Sequence, residues 1–187
     1  MAAPTYLPYN RTMIQRALVS LAFAAALAVP ALAQVQKAEL PGVRNYSKVD
    51  ATVGCAGATD PSAMKALKAE GYVSVINLRM STEQGADIEG SRSAAQGAGL
   101  KYFHFPFNTA TPDAALVSSF LSTVADTRNQ PVFVHCGSAN RVGGMWMIKR
   151  VLQDKWAIDK ARVEADAIGL REPAMIAFVT DYINTHK

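Results

Sequence analysis

Cysteine is nearly missing from this chain: Cys55 and Cys136 are the only two in 187 residues. Two cysteines allow at most one disulfide, and a domain of this size does not need that staple. Histidine is scarce as well. His104, His135 and His186 are scattered, and no two have helical spacing, so no metal centre or other cofactor is expected. Basic tracts and aromatic-basic interleaving are absent, which argues against a nucleic-acid partner. No internal repeat and no low-complexity tract is visible. After residue 33 no apolar run approaches the length of a membrane span.

The beginning of the chain has its own composition. Arg11 and Arg16 precede the apolar stretch Ala17 to Val29, and Pro30-Ala31-Leu32-Ala33-Gln34 comes next. Basic, then apolar, then Ala-x-Ala is the order of a secretory signal, with cleavage expected after Ala33. Residues 1–33 are therefore read as a signal peptide, and 34–187 as one domain destined for the periplasm or for secretion. The whole chain carries a formal charge of +4, two units of which come from Arg11 and Arg16. The basic balance thus belongs partly to the signal and names no partner. No membrane association is expected once the signal is removed.

Beyond residue 33, helix and strand signals alternate. A short strand is expected around Ala51 to Val53. A helix starts at Pro61, capped by Thr59 or Asp60, and Gly71 ends it. Tyr72 to Leu78 reads as a buried strand, Glu83 or Asp87 to Gly97 as a helix, and Lys101 to Phe105 as an alternating strand. Pro112 and Asp113 open a third helix. Pro131 to His135 is the next strand, leading to helices over Arg141–Gln153, Ala157–Ala167 and Pro173–Thr185. This pattern specifies an α/β fold: a mostly parallel central sheet of four or five strands flanked by helices. Such folds present ligand sites at the C-terminal ends of their strands.

The residues with the most chemistry lie at such an end: Val132-Phe133-Val134-His135-Cys136-Gly137-Ser138-Ala139-Asn140-Arg141. A buried strand delivers a cysteine, and a helix begins near the arginine. Amides of a tight loop at a helix N-terminus converge on an anion and stabilise a thiolate. Arg141 can return two parallel hydrogen bonds to an oxyanion. Together they make a nucleophile and a cradle for a tetrahedral anion. Gly137, Ser138, Ala139 and Asn140 are the candidate cradle residues. Arg79, at a strand end, either binds substrate or anchors the acidic segment behind it. Glu83 and Glu89 are candidates to pair with Arg79 or Arg141.

The loop, with His135 before the cysteine, resembles that of the cysteine-dependent phosphatases of dual-specificity type. More closely, it resembles the small bacterial group of beta-lactamase-hydrolase-like phosphatases. The likeness extends through Val75-Ile76-Asn77-Leu78-Arg79, Glu83 and Glu89, Gly99-Leu100-Lys101-Tyr102 and Pro131 to Gly144. It continues in Trp156, Ala161, Glu164 and Gly169-Leu170. The resemblance implies a cysteine-dependent phosphatase fold and phosphomonoester hydrolysis. Cys136 would form a phosphocysteine, Arg141 would clamp the equatorial oxygens, and His135 would organise the loop by hydrogen bonding. Asp113 is the only carboxylate in the segment after Phe107, so it is the candidate general acid, although helix capping explains it equally well.

Three positions depart from the common pattern. Four residues, not five, separate Cys136 from Arg141, a spacing shared with rhodanese-like sulfurtransferases. Ala139 stands where glycine is common and would be strained at positive φ. Val142 replaces the Ser or Thr that helps release the cysteine, and Ser138 substitutes only if it points inward. Sulfur transfer or persulfide handling at Cys136, and a non-catalytic oxyanion-binding module, therefore stand beside hydrolysis. Cys55, in a Gly-rich segment, is either a free small residue or a disulfide partner for Cys136.

Overall fold

The computed structural model describes Met1 and residues 35–187, so the expected signal peptide lies outside the described residues. In chain order the elements are β1 (Gln36–Lys37), β2 (Ser47–Asp50), β3 (Val53–Ala56), a short 3-10 turn at Pro61–Ala63, α1 (Met64–Ala69), β4 (Ser74–Asn77), α2 (Ile88–Gly97), β5 (Lys101–His104), α3 (Ala114–Ala125), a second 3-10 turn at Thr127–Asn129, β6 (Val132–His135), α4 (Asn140–Leu152), α5 (Ile158–Ile168) and α6 (Pro173–Thr185). One sheet of six strands runs β1-β2-β3-β6-β4-β5. The four strands β3, β6, β4 and β5 are parallel, while β1 and β2 add antiparallel at one edge.

The α/β class and the parallel centre agree with the sequence reading, and three points differ. The segment before residue 50 supplies two strands, which raises the count to six. The strand expected at Ala51 to Val53 starts only at Val53, the first residue of β3: Ala51 and Thr52 are the turn from β2, where Asp50 accepts from the amide and hydroxyl of Thr52. Asp60 precedes Pro61 without capping through its side chain.

Alternation along the strands divides the core. Val75 and Phe133 face a cluster with Met64 and Leu67 of α1 and Ala95 of α2. Ile76 and Val134 face the larger cluster, with Val117 and Phe120 of α3, Met145 and Ile148 of α4, Ala165 of α5 and Val179 of α6. Both faces are thus covered, as a parallel sheet requires. Gly143 and Gly144 serve helix-to-helix contact. A Cβ on Gly143 would stand 2.7 Å from the Ala165 carbonyl oxygen, and one on Gly144 would run into Met175.

Behind the loop, α4 is pinned by Arg150. Its guanidinium donates to Glu164 at 2.6 Å, to Asp50 at 2.6 Å and to Asp154 at 2.9 Å. It lies over the Trp146 and Trp156 rings, 4.8 and 4.4 Å from their centroids. Glu164 also accepts from the Trp146 indole. Each buried charge is hydrogen-bonded, which offsets its desolvation, and the network ties β2, α4 and α5 into a fixed base.

Candidate active site

β6 ends at His135, and α4 begins at Asn140. The residues between them form a tight loop whose outer side is bound by β3 and the segments around it. The Cys136 amide donates to the Ala56 carbonyl at 3.2 Å, and the Ala58 amide donates to the Gly137 carbonyl at 2.9 Å. The Asn45 side-chain amide donates to the Ser138 carbonyl at 3.2 Å. Gly57 has no side chain because any Cβ would press on the Gly137 carbonyl oxygen at 3.2 Å. With the carbonyls of Gly137 and Ser138 held from outside, the loop amides are left for the inside. Among the described residues, the amides of Gly137, Ser138, Ala139, Asn140 and Arg141 have no protein acceptor. Five consecutive donors without an acceptor at a helix N-terminus are a candidate anion cradle.

Ala139 closes that cradle in the left-handed region, at φ +74° and ψ −1°. The strain expected of a non-glycine residue there is present, on the order of 1–2 kcal/mol. The methyl group packs without solvent exposure, close to Gly169. Asn140 is buried, and its Oδ1 accepts from the amides of Arg171 at 2.9 Å and Glu172 at 3.0 Å. Ser138 is exposed, and Val142 is fully buried. The inward hydroxyl that would have replaced a Ser or Thr at position 142 is therefore not supplied by Ser138.

Cys136 sits on the loop floor with no solvent exposure. Arg141 approaches it with half of its guanidinium committed elsewhere. Nη1 donates to Glu83 Oε1 at 2.6 Å and to the carbonyls of Leu78 at 3.1 Å and Phe107 at 3.0 Å. Nη2 donates to Glu83 Oε2 at 2.9 Å. The Nε–H and the second Nη2–H remain, an edge suited to two parallel bonds to an oxyanion. Burial alone would lower the Arg141 pKa, but hydrogen bonding to Glu83 and the nearby Cys136 sulfur raise it above its ordinary value.

Glu83 is the hub of this arrangement. Besides Arg141 it accepts from the Met80 amide at 2.7 Å and from Arg79 Nε at 3.3 Å. Burial pushes its carboxyl pKa up. The bonds from Arg141 and Met80 and the arginine charges more than reverse this, so the net shift is downward. Arg79 donates as well to the carbonyls of Gln84 at 2.7 Å and Gly85 at 2.9 Å. All three of its nitrogens are thus spent on the turn that presents Glu83, so the anchoring role is the one its contacts display. Glu89, by contrast, pairs with Arg92 on the exposed face of α2.

His135 differs from expectation. It is buried, and neither ring nitrogen has a hydrogen-bond partner among the described residues, so it does not organise the loop by hydrogen bonding. Desolvation first, then Arg79 and Arg141, lower its pKa to about 3. The ring is neutral near pH 7. Asp113 is exposed and caps α3, accepting from the Ala115 amide at 2.8 Å. It belongs to the segment that leaves the site at Phe107, whose carbonyl holds Arg141. Cys55 lies within β3 and is fully buried. It is a free thiol like Cys136, and burial pushes its pKa well above the ordinary range.

One cavity, about 690 Å³, runs along Lys37 to Tyr46 and is not lined by Cys136 or Arg141. A smaller one, about 450 Å³, is lined by Ser138 and Asn140 of the loop together with Asn45, Gly169, Arg171 and Glu172. Asn45, the Phe107 carbonyl and Arg171 are not among the residues that the sequence singles out. Only Gly169 carries a signal, through the resemblance.

Residues 45–153 match the family described as beta-lactamase hydrolase-like protein, phosphatase-like domain. No curated relative matches the sequence. Among solved structures, the DUF442 protein of Shewanella putrefaciens CN-32 is 18% identical, with a TM-score of 0.66 over 78% of this chain and 93% of that one. TpbA of P. aeruginosa is 19% identical, with a TM-score of 0.64 over 84% of this chain and 92% of that one. The core catalytic domain of the PP-IP phosphatase SIW14 from S. cerevisiae is 20% identical, with a TM-score of 0.59 over 79% and 93%. At these identities the likeness shows the fold, which is that of the tyrosine and dual-specificity phosphatases.

Proposed function

The chain belongs to the phosphatase-like domain family of beta-lactamase hydrolase-like proteins, and from that membership and the loop geometry we propose that it is an enzyme hydrolysing phosphomonoesters through a phosphocysteine at Cys136. What supports this reading is the run of five loop amides without a protein acceptor among the described residues, followed by Arg141, whose guanidinium Glu83 holds along one side. Three non-bridging phosphoryl oxygens need that many donors, and they gain charge-assisted bonds as the transition state develops.

The Cys136 thiolate attacks phosphorus in line with the ester oxygen. The S–P bond forms as the P–O bond breaks, and the leaving oxygen takes a proton from Asp113, the acid assigned here. Water then attacks phosphorus, its proton returns to the same carboxylate, and phosphate leaves as the thiolate is restored. Gly137, Ser138, Ala139, Asn140 and Arg141 hold the oxygens through their amides. Glu83 holds Arg141, and Arg79 holds the turn that carries Glu83. His135, neutral and buried, has no proton-transfer role in this scheme. Residues 1–33 direct the protein to the periplasm and are removed after Ala33. Among the described residues, no helix is long and apolar enough to cross a membrane.

A second reading has one observation in its favour. With valine at the buried position 142 and Ser138 exposed, neither of these positions supplies a hydroxyl to assist expulsion of the thiolate. The same loop would then hold a phosphorylated ligand, or keep its phosphocysteine, without turnover.

Rapid acid quench of the reduced protein with an aryl phosphate, coupled to intact-mass measurement, separates these readings. A phosphoryl adduct on Cys136 that forms and decays at the rate of phosphate release supports hydrolysis. An adduct that persists supports the second reading. No adduct, with persulfide formed from thiosulfate instead, would move the assignment to sulfur transfer.

A further inference from the structure

The sheet ladder stops just short of the residue on which the Arg141 assembly depends. The Leu78 amide still donates to the His135 carbonyl at 2.9 Å, but Arg79, the next residue, has no backbone partner among the described residues. Side chains hold its peptide groups instead. Asn77 Oδ1 accepts from the Arg79 amide at 2.8 Å, and His104 Nε2 meets the Arg79 carbonyl at 2.8 Å. A carbonyl only accepts, so this bond places the His104 proton on Nε2.

The two side chains differ in what they tie down. Asn77 reaches a residue two positions along its own segment, and its Nδ2 donates to the Tyr102 hydroxyl at 2.9 Å. His104 comes from the other strand of the β4–β5 pair, where it is the register partner of Asn77. It therefore joins the end of β5 to the segment after β4. Three residues later the same chain supplies the Phe107 carbonyl, which accepts from Arg141 Nη1 at 3.0 Å. From Arg79 the placement passes outward through its guanidinium. Nη1 and Nη2 donate to the Gly85 and Gln84 carbonyls, and Nε to Glu83. Glu83 then holds both terminal nitrogens of Arg141. A shift of the Arg79 backbone would move this turn and rotate Arg141 away from the loop. Misplacement of such a group by about 1 Å costs on the order of 100-fold in rate.

We propose that His104 is a positioning residue for oxyanion binding: by holding the Arg79 carbonyl it sets the turn that carries Glu83, and through Glu83 the guanidinium of Arg141. It acts through Arg79 and needs no contact with the bound anion. The inference rests on the oxyanion-binding reading of the Cys136 loop, and binding tests it apart from turnover.

His104→Phe keeps a ring and removes the donor, and His104→Leu removes both. His104→Gln offers an N–H at similar reach. Aryl phosphate kinetics are measured on each, and tungstate, a tetrahedral oxyanion, is titrated by calorimetry into each variant combined with Cys136→Ser. Loss of the one bond should lower kcat/KM about 10-fold in the Phe and Leu variants and raise the tungstate Kd by a similar factor. His104→Gln should recover most of both. Partial unfolding would lower kcat alone and leave KM and Kd as in wild type, so it does not imitate this result. In a Glu83→Gln background, His104→Phe should add less than about 2-fold, because both act along one route. Should His104→Leu fail to fold, the Phe and Gln pair carries the comparison. Unchanged tungstate binding in the donorless variants, no recovery in His104→Gln, or losses that add fully to Glu83→Gln would each overturn the proposal. Dependence of tungstate binding on His104 in a protein without turnover would retain it and refute the hydrolytic reading.

Discussion

Replacing Glu83 by glutamine probes the site at its most heavily bonded point. Glu83 Oε1 receives the Met80 amide and Arg141 Nη1, and Oε2 receives Arg141 Nη2 and Arg79 Nε. Both oxygens face donors, so a carboxamide in either orientation turns its NH2 group toward two of them. Charge-assisted bonds of this kind contribute about 1.5–3 kcal/mol each. The Glu83 side chain retains 26% exposure and Arg141 13%, so solvent screening reduces the sum. Glu83→Gln should therefore cost about 2–3 kcal/mol, a shift on the order of 1 M in the urea midpoint. It should also lower kcat/KM by about 100-fold, because the free edge of Arg141 loses its orientation.

The effect has a defined pH window. The folded pKa of Glu83 lies below the ordinary glutamate value of about 4.3. Its contribution is complete above that value and is lost as pH falls through the folded pKa. Protonated Glu83 has the shape of glutamine, so wild type and variant should converge in acid. Urea unfolding of both proteins at pH 7 and at successively lower pH checks this. A difference below about 0.5 kcal/mol at pH 7, or one that persists unchanged in acid, would refute the reasoning.

Other positions give independent expectations. His135 has a folded pKa of about 3 against about 6.5 unfolded, so the unfolded state alone takes up a proton between these values. Its contribution is fully present above pH 6.5, and lowering the pH from 6.5 to 5 should cost about 2 kcal/mol. Urea midpoints should show that loss in wild type but not in His135→Leu, and equal slopes would contradict it. Val142→Thr supplies the absent hydroxyl beside the loop and should shorten the lifetime of the phosphocysteine adduct in acid-quench experiments. An unchanged lifetime would remove position 142 from the turnover argument. Asp113→Asn should remove the basic limb of the pH–rate profile and lower kcat/KM by about 100-fold. Equal profiles would leave Asp113 as the α3 cap alone.

The parallel centre of the fold is legible because its strands are short apolar runs separated by helix-length segments: Ser74–Asn77 and Val132–His135 need only burial to be recognised. The added strands are not. Gln36–Lys37 is two exposed polar residues, and Ser47–Asp50 alternates too briefly to distinguish from irregular chain. Only tertiary pairing makes them strands. Within the site, the Cys136-to-Arg141 loop and the pairing of Glu83 with both arginines are consistent with residue types and order. Ala139 can be named as a position of strain, since its conformation is a local property. The partners of the loop cannot be named in this way. Asn45 holds Ser138 from 93 residues away, and the Phe107 carbonyl holds Arg141 through a backbone atom that has no sequence signature. His135 departs from expectation for a related reason: a histidine beside a candidate nucleophilic cysteine suggests hydrogen bonding, whereas here the ring is buried, 6.0 Å from the Phe133 ring, with neither nitrogen bonded among the described residues.

Phosphate release from an activated aryl phosphate by the reduced protein, with Cys136→Ser in parallel, tests the central claim most directly. The account predicts steady release that is abolished by Cys136→Ser while the variant still binds the ester. Release that survives in Cys136→Ser, or its absence in wild type with free thiols verified, would contradict it.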